Sequence, residues 1–62
     1  MIREEILPFL NQKIRLVKGN NFVLTGTILK VNTDSILFET TQAIALIDIN
    51  QIQEIILTNE GK

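Results

Sequence analysis

Apolar and polar positions change their spacing after residue 12, and this change separates a helical start from a β-rich remainder. Four apolar residues of the first segment share one helix face: Ile2, Ile6, Phe9 and Leu10. Pro8 is tolerated in a helix only within the first turn, because elsewhere its ring and its missing N–H disrupt the helix. The pattern predicts a short helix over about residues 4–11 that begins late or kinks at Pro8.

From residue 13 onward, apolar residues alternate with polar ones or run together in short segments, which is typical of strands. Turn-forming residues separate these segments. They predict five strands, over residues 13–18, 22–31, 35–40, 43–49 and 52–57. The expected order is one helix followed by five strands in a meander.

Gly26 lies at the centre of the longest predicted strand. A glycine weakens a strand there unless a bend, a bulge or a close backbone approach requires it. A strand of this length in so short a chain has to bend to serve two sides of a barrel. We therefore predict a mainly β fold: a short N-terminal helix plus a five-stranded, strongly bent, SH3-like closed barrel, as one domain over residues 1–62. A bulge in an unrelated meander, or room for a large neighbour, would also explain the glycine.

The last two segments hold more apolar residues than one barrel interior can bury. Residues 43–49 are apolar on both faces, whereas a strand with one solvated face alternates with polar residues. The chain is 45% hydrophobic and has no Cys or His to form disulfides or a structural zinc site. We expect copies to associate edge to edge into a homo-oligomeric ring of about five to seven subunits. The expected interface residues are Ile44, Ala45, Leu46, Ile47, Ile49, Ile52, Ile55, Ile56 and Leu57.

The net charge of −1 conceals a separation of charge along the chain. Charged residues between positions 6 and 30 are all basic, and those between 31 and 61 are all acidic. Such a chain can still carry a local anion-binding surface. The N-terminus is acidic where a signal peptide would be basic, and no apolar run is long enough to span a bilayer. We expect a soluble, cytoplasmic protein.

The residue types argue against an enzyme. Without His or Cys, the chain has no nucleophile and base of the Ser–His or Cys–His kind, and Ser35 has no lysine near it in sequence. The glycines are isolated, so no phosphate-binding loop is present, and the acidic residues lack the spacing of a calcium loop. We expect no catalytic residue, no metal, no cofactor and no small-molecule substrate.

Residues 20–39, NNFVLTGTILKVNTDSILFE, resemble a stretch of the Sm/LSm family, and especially of its Hfq-like bacterial members. The shared positions are Asn20, Phe22, Leu24, Gly26, Ile28, Val31, Leu37 and Glu39. Residues 45–55 resemble the closing stretch of the same family at Leu46, Ile52 and Ile55. The resemblance covers about residues 6–57 and rests on apolar spacing and one glycine. The segments DSILFE and ALIDINQI are also similar to small Sm-like proteins of Bacillus-type bacteria that have no settled function.

This resemblance implies an Sm-like barrel, ring assembly and binding of single-stranded RNA. The chain departs from the family at its RNA pocket. Asp34 stands where the family has an aromatic residue on which a base stacks, and residues 48–50, DIN, stand where it has Tyr-Lys-His. Loss of the aromatic ring removes a stacking contribution of about 1–3 kcal/mol per base. The resemblance therefore implies the fold more firmly than the usual uridine pocket.

Two functions remain open at this point. The first is an Sm-like ring that binds single-stranded RNA through an atypical pocket, with contacts expected from Lys13, Arg15, Lys30, Asn32, Thr33, Asn50 and Gln51. The second is a structural or protein-interaction oligomer that has lost RNA binding, which the acidic pI and the altered pocket favour. The phenylalanines do not distinguish the two functions. Phe9, Phe22 and Phe38 all fall on the apolar positions of their predicted elements and are expected in the core, where no base could stack on them.

Overall fold

The computed structural model of the chain describes residues 1–58. Its helix and strands are α1 (Arg3–Ile6), β1 (Lys13–Lys18), β2 (Val23–Val31), β3 (Ser35–Glu39), β4 (Ile44–Asp48) and β5 (Ile52–Leu57). Two short 3₁₀ segments complete it: an N-terminal one (Leu7–Phe9) and the β4–β5 turn (Ile49–Gln51). The predicted short helix and five strands are therefore present.

The N-terminal helix is a single turn because Pro8 prevents it from continuing. At its start, the backbone N–H of Ile2 donates a 3.1 Å hydrogen bond to the Glu5 carboxylate. After Ile6 the chain tightens into the 3₁₀ segment that contains Pro8. At the start of this segment a backbone N–H would have no acceptor within the helix, so the missing N–H of Pro8 costs no hydrogen bond. Asn11, with a φ of 65°, then redirects the chain into β1. The helix is thus shorter than the spacing of the apolar residues predicted.

All five strands form one antiparallel sheet in the order β4-β3-β2-β1-β5. The edge strands β4 and β5 are consecutive in the chain and are joined only by the three residues of the β4–β5 turn. Since so short a link cannot cross a flat sheet of five strands, the sheet has to roll up. No ladder joins β4 to β5 within residues 1–58, so the rolled sheet is open where a closed barrel was predicted.

Strand β2 bends next to Gly26 and passes from one partner strand to the other at Thr27. Residues 23–27 pair with β1, and residues 27–31 pair with β3, with a bulge between Ile28 and Lys30. A Cβ at Gly26 would overlap the carbonyl oxygen of Glu39 and would lie 3.1 Å from a ring carbon of Phe38. The glycine is therefore required by a close backbone approach at the bend, two residues before the bulge.

The rolled sheet encloses a core built only from apolar side chains. Nine are buried: Ile6, Ile14, Leu16, Ile28, Ile36, Phe38, Ile47, Ile49 and Ile52. Each contributes about 1.5–3 kcal/mol through its removal from water. The expectation that all three phenylalanines are core residues is wrong for Phe22, which is 57% exposed, whereas Phe9 packs half-buried against the core.

Candidate nucleic-acid interface and subunit edges

Three of the predicted RNA-binding residues form a row on the outer face of the sheet. On β1, Lys13 and Arg15 alternate with buried residues and pair with Thr27 and Thr25 of β2. Lys30 points to the same face, because the bulge after the buried Ile28 adds one residue to the alternation. These three cations are spread over a length of β2 of at most about 17 Å, at about 3.3 Å per residue. We call them the cation row.

The other predicted contacts lie in two turns that the fold brings together. The backbone N–H of Ile49 donates a 2.9 Å hydrogen bond to the carbonyl of Asp34, which joins the β4–β5 turn to the β2–β3 turn (residues 32–34). Four polar side chains consequently gather at one end of the barrel, which we call the polar end: Asn32, Thr33, Asn50 and Gln51. The last three are exposed.

The same end of the barrel also holds the β1–β2 hairpin. The N–H of Gly19 donates a 2.9 Å hydrogen bond to the carbonyl of Gln51. The β4–β5 turn therefore holds the hairpin on one side and the β2–β3 turn on the other. The predicted RNA-binding residues thus divide into the cation row and the polar end. Lys30 links the two groups, because it belongs to the cation row and lies two residues before Asn32 of the polar end.

Phe22 is a candidate contact that the hydrophobic pattern missed. Hydrogen bonds within the hairpin hold both backbone polar groups of Phe22. The carbonyl of Phe22 accepts from the N–H of Lys18 at 2.8 Å, and the N–H of Phe22 donates to Oδ1 of Asn20 at 3.0 Å. Asn21 supplies the positive φ, 65°, that the turn requires. The result is an exposed aromatic ring on a fixed backbone. Its position directly after the turn signal, just before β2, was the clue in the sequence.

The two edge strands expose apolar side chains without a charged or proline residue to block pairing along most of their length. On β4, Ile44 is 57% exposed and Leu46 is 67% exposed; on β5, Ile56 and Leu57 are 39% and 48% exposed. Ala45 is also exposed, and Ile55 is half-buried. The charges on these strands are Asp48, at the end of β4, and Glu54.

Burial divides the predicted interface set into two groups. The side chains of Ile47, Ile49 and Ile52 lie in the core of the single chain, with exposed fractions of 5% or less. In the single chain they leave very little side-chain surface for another copy. Six residues keep such a surface: Ile44, Ala45, Leu46, Ile55, Ile56 and Leu57.

Comparison with known proteins agrees with this architecture. No family model and no curated protein sequence matches the chain. Among solved structures, the chain is similar to the pleiotropic translational regulator Hfq, with a TM-score of 0.79 over 89% of this chain and 86% of that chain. The chain has an Sm-like fold. The resemblance seen in residues 20–39 is thereby confirmed for the fold, at a sequence identity of 14%.

The places where this Sm-like chain departs from the Hfq-like pattern have structural roles of their own. Asp48 is the N-terminal cap of the β4–β5 turn, since its Oδ1 accepts from the N–H of Asn50 at 2.9 Å. Ile49 fills the core beneath the same turn. The side chain of Asp34 is exposed while its carbonyl holds Ile49. Residues 48–50 therefore support the fold, and Asn50 alone among them offers an exposed amide.

Two other features of the Sm-like chain bear on the sequence-based expectations. Within residues 1–58, no three His, Cys, Asp or Glu side chains gather in an arrangement that could hold a metal ion. The same residues contain no helix with the length and apolar character needed to cross a bilayer.

Proposed function

We propose that the protein is a ring-forming Sm-like protein that binds single-stranded RNA. Copies would join through pairing of the β4 edge of one subunit with the β5 edge of the next. The observation that carries this proposal is the pair of apolar, unpaired edge strands on a fold similar to that of a translational regulator. Light scattering tests the assembly, because a concentration-independent particle of 7.0 kDa would contradict it.

Pairing of β4 with β5 would solve two physical problems at once. It would satisfy the backbone N–H and C=O groups along both edges, which otherwise invite uncontrolled association. It would also cover Ile44 and Leu46 of one copy, and Ile56 and Leu57 of the next, which water now contacts. Since each contact joins two different edges, the association is head to tail, and it ends in a ring when the rotation closes.

The cation row, the polar end and Phe22 support RNA as the ligand. Cations neutralise phosphates and release counterions, exposed amides reach base edges, and an exposed ring stacks on any base. A ring would repeat this modest set in each copy, so weak contacts would add through effective concentration. Glu39, on β3 beside Thr27, is an acidic side chain on the same face as the row.

Removal of the cation row tests the RNA contact directly. In the Lys13→Ala, Arg15→Ala, Lys30→Ala variant, we expect affinity for a single-stranded RNA to fall and its salt dependence to weaken. Three fewer phosphate contacts reduce the slope of log K against log salt by about 2. Fluorescence anisotropy at several salt concentrations measures this slope. A charge-conserving variant, Lys13→Arg, Arg15→Lys, Lys30→Arg, should keep the slope; an unchanged slope in the alanine variant would reject the row as the contact surface.

Phe22→Ala tests the aromatic contact. Loss of one stacked base should weaken RNA binding by about 1–3 kcal/mol, which is roughly 5-fold to 150-fold. Because the ring is 57% exposed, thermal stability should change little. Val23→Ala is the control, since Val23 is a neighbouring exposed apolar residue without a ring. Equal dissociation constants for Phe22→Ala and the unmodified protein would show that no base stacks there.

The second candidate function is an oligomer that holds together other proteins, or itself, and no longer binds RNA. Asp34 favours it, because an exposed carboxylate in the β2–β3 turn repels phosphates. This alternative predicts a stable ring without measurable affinity for U-rich or A-rich oligonucleotides even at low salt. The same anisotropy titration distinguishes the two functions.

A further inference from the structure

An open groove of about 540 Å³ lies where β2 bends, away from the polar end. It is lined by Lys13, Thr25, Gly26, Thr27, Glu39, Thr40 and Thr41. We call it the threonine groove. Three of its residues come from the middle of the sheet, since Lys13 of β1 pairs with Thr27 of β2, which pairs with Glu39 of β3.

This pairing sets an ammonium, a hydroxyl and a carboxylate side by side across three strands. Directly opposite residues in an antiparallel sheet have Cβ atoms about 4.5–5.5 Å apart. At the bend, the absent side chain of Gly26 lets β2 approach the backbone of Glu39. The groove therefore carries one positive charge and one negative charge a short distance apart, beside a row of hydroxyl groups.

One wall of the threonine groove is fixed, and three other hydroxyls and the Glu39 carboxylate are available to a ligand. The Thr40 hydroxyl donates to the carbonyl of Ala43 and accepts from the N–H groups of Gln42 and Ala43, at 3.1–3.2 Å. By contrast, the side chains of Thr25, Thr27, Thr41 and Glu39 make no hydrogen bond with any part of the chain that the structure describes. The groove thus offers three hydroxyls and a carboxylate acceptor.

We propose that the threonine groove binds the ribose of an RNA strand and selects RNA over DNA; this inference rests on the proposed RNA binding and adds its substrate class. The Glu39 carboxylate, which only accepts hydrogen bonds, accepts one from the 2′-hydroxyl group. The Thr27 hydroxyl bonds to the same oxygen, and Lys13 pairs with the adjoining phosphate. A deoxyribose has no 2′-hydroxyl to donate a hydrogen bond to Glu39, so only the repulsion between the Glu39 carboxylate and the phosphates remains. The 2′-hydroxyl therefore determines the preference for RNA over DNA.

The position of the threonine groove in the sheet suits this role. Most of its lining residues lie on β1, β2 and β3, the three central strands of the sheet, and none lies on the edge strands β4 and β5. Assembly through β4 and β5 therefore leaves the groove open in every copy. The cation row also passes it, because Lys13 belongs to both and Arg15 pairs with Thr25.

Paired oligonucleotides that differ only at the 2′ position test the proposal. We expect the intact protein to bind a U-rich ribo-oligomer about tenfold more tightly than the matched 2′-deoxyuridine oligomer, as one charge-assisted hydrogen bond provides. Glu39→Gln and, separately, Thr27→Val should each reduce this ratio to about threefold or less. The ratio is the readout, since loss of a negative charge in Glu39→Gln raises affinity for both strands alike.

Glu54→Gln is the matched control, because it removes an exposed carboxylate that lies on β5 outside the groove. It should keep the tenfold ratio. A ratio near one in the intact protein, or an unchanged ratio in both groove variants, would overturn ribose selection and leave salt-dependent RNA binding standing. Absence of binding to either oligomer at low salt would refute both the ribose site and the proposed function.

Discussion

Gly26→Ala should severely destabilise the protein. The added methyl group would overlap the carbonyl oxygen of Glu39, lie 2.9 Å from its carbonyl carbon and contact the ring of Phe38. Backbone atoms cannot move aside as the end of a flexible side chain can, so β2 and β3 would have to separate at the bend. We expect a loss of about 3 kcal/mol or more. A domain of this size is stable by only roughly 3–9 kcal/mol, at 0.05–0.15 kcal/mol per residue.

Gly19→Ala is the matched control for this substitution. A Cβ at Gly19 has one neighbour within 4 Å, the carbonyl oxygen of Gln51 at 3.9 Å, which is an ordinary contact. The change should therefore alter stability by less than about 1 kcal/mol, and it can stabilise the fold by restricting the unfolded chain. Urea denaturation followed by circular dichroism measures both free energies of unfolding. Equal stability of the two variants would show that the close approach at Gly26 does not constrain the fold.

The double variant Ile44→Lys, Leu46→Lys should abolish assembly and leave the folded subunit intact. Both side chains are more than half exposed in the single chain, so their replacement removes little from the core. At a β4–β5 junction, however, each copy would bring two ammonium groups onto an apolar strand pair, and desolvation of a charge there is costly. Lysine is also the residue that natural proteins use to block sheet edges. We expect a 7.0 kDa monomer by analytical ultracentrifugation.

The control for this assembly test is a second double lysine variant, in which the two new charges lie away from the edge strands β4 and β5. Phe22→Lys, Val23→Lys also replaces two exposed apolar residues, but these lie in the hairpin and at the start of β2, which is a central strand and not one of the edge strands β4 and β5. This variant should sediment as the unmodified oligomer does. If the β4 variant stayed fully assembled, or both variants dissociated alike, association through the β4 edge would be refuted.

Sequence patterns predicted the fold well because its main constraints are local. A glycine within a long apolar strand, and short turns between five strands, are visible in one dimension, and the bend at Gly26 follows from them. By contrast, the sequence alone could not predict that Ile47, Ile49 and Ile52 are the buried residues of the last two segments. Residues 43–49 are apolar on both faces, so only the roll of the sheet determines which side faces the core.

The candidate sites depended more strongly on long-range pairing. Lys13 and Glu39 are far apart in sequence, and only the β1–β2–β3 register sets them on either side of Thr27. Likewise, the meeting of the β2–β3 turn with the β4–β5 turn depends on the β3–β4 register, which pairs Ser35 with Asp48, and on the hydrogen bond between Ile49 and Asp34. Phe22 misled the apolar pattern because the hairpin holds its backbone just outside the regular alternation of β2.

The three-residue β4–β5 turn, which is held at both ends, also has a consequence for the symmetry of an assembly. In a ring joined through β4 and β5, this turn would constrain the angle between the two edges at which neighbours join. Rings of five, six or seven copies need successive rotations of about 72°, 60° or 51°. The number of subunits would then depend on the backbone hydrogen bonds of Ile49 and Gln51, which hold the turn between the two edges. A change in the length of this one link would convert one rotational symmetry into another without any change in the contact surfaces.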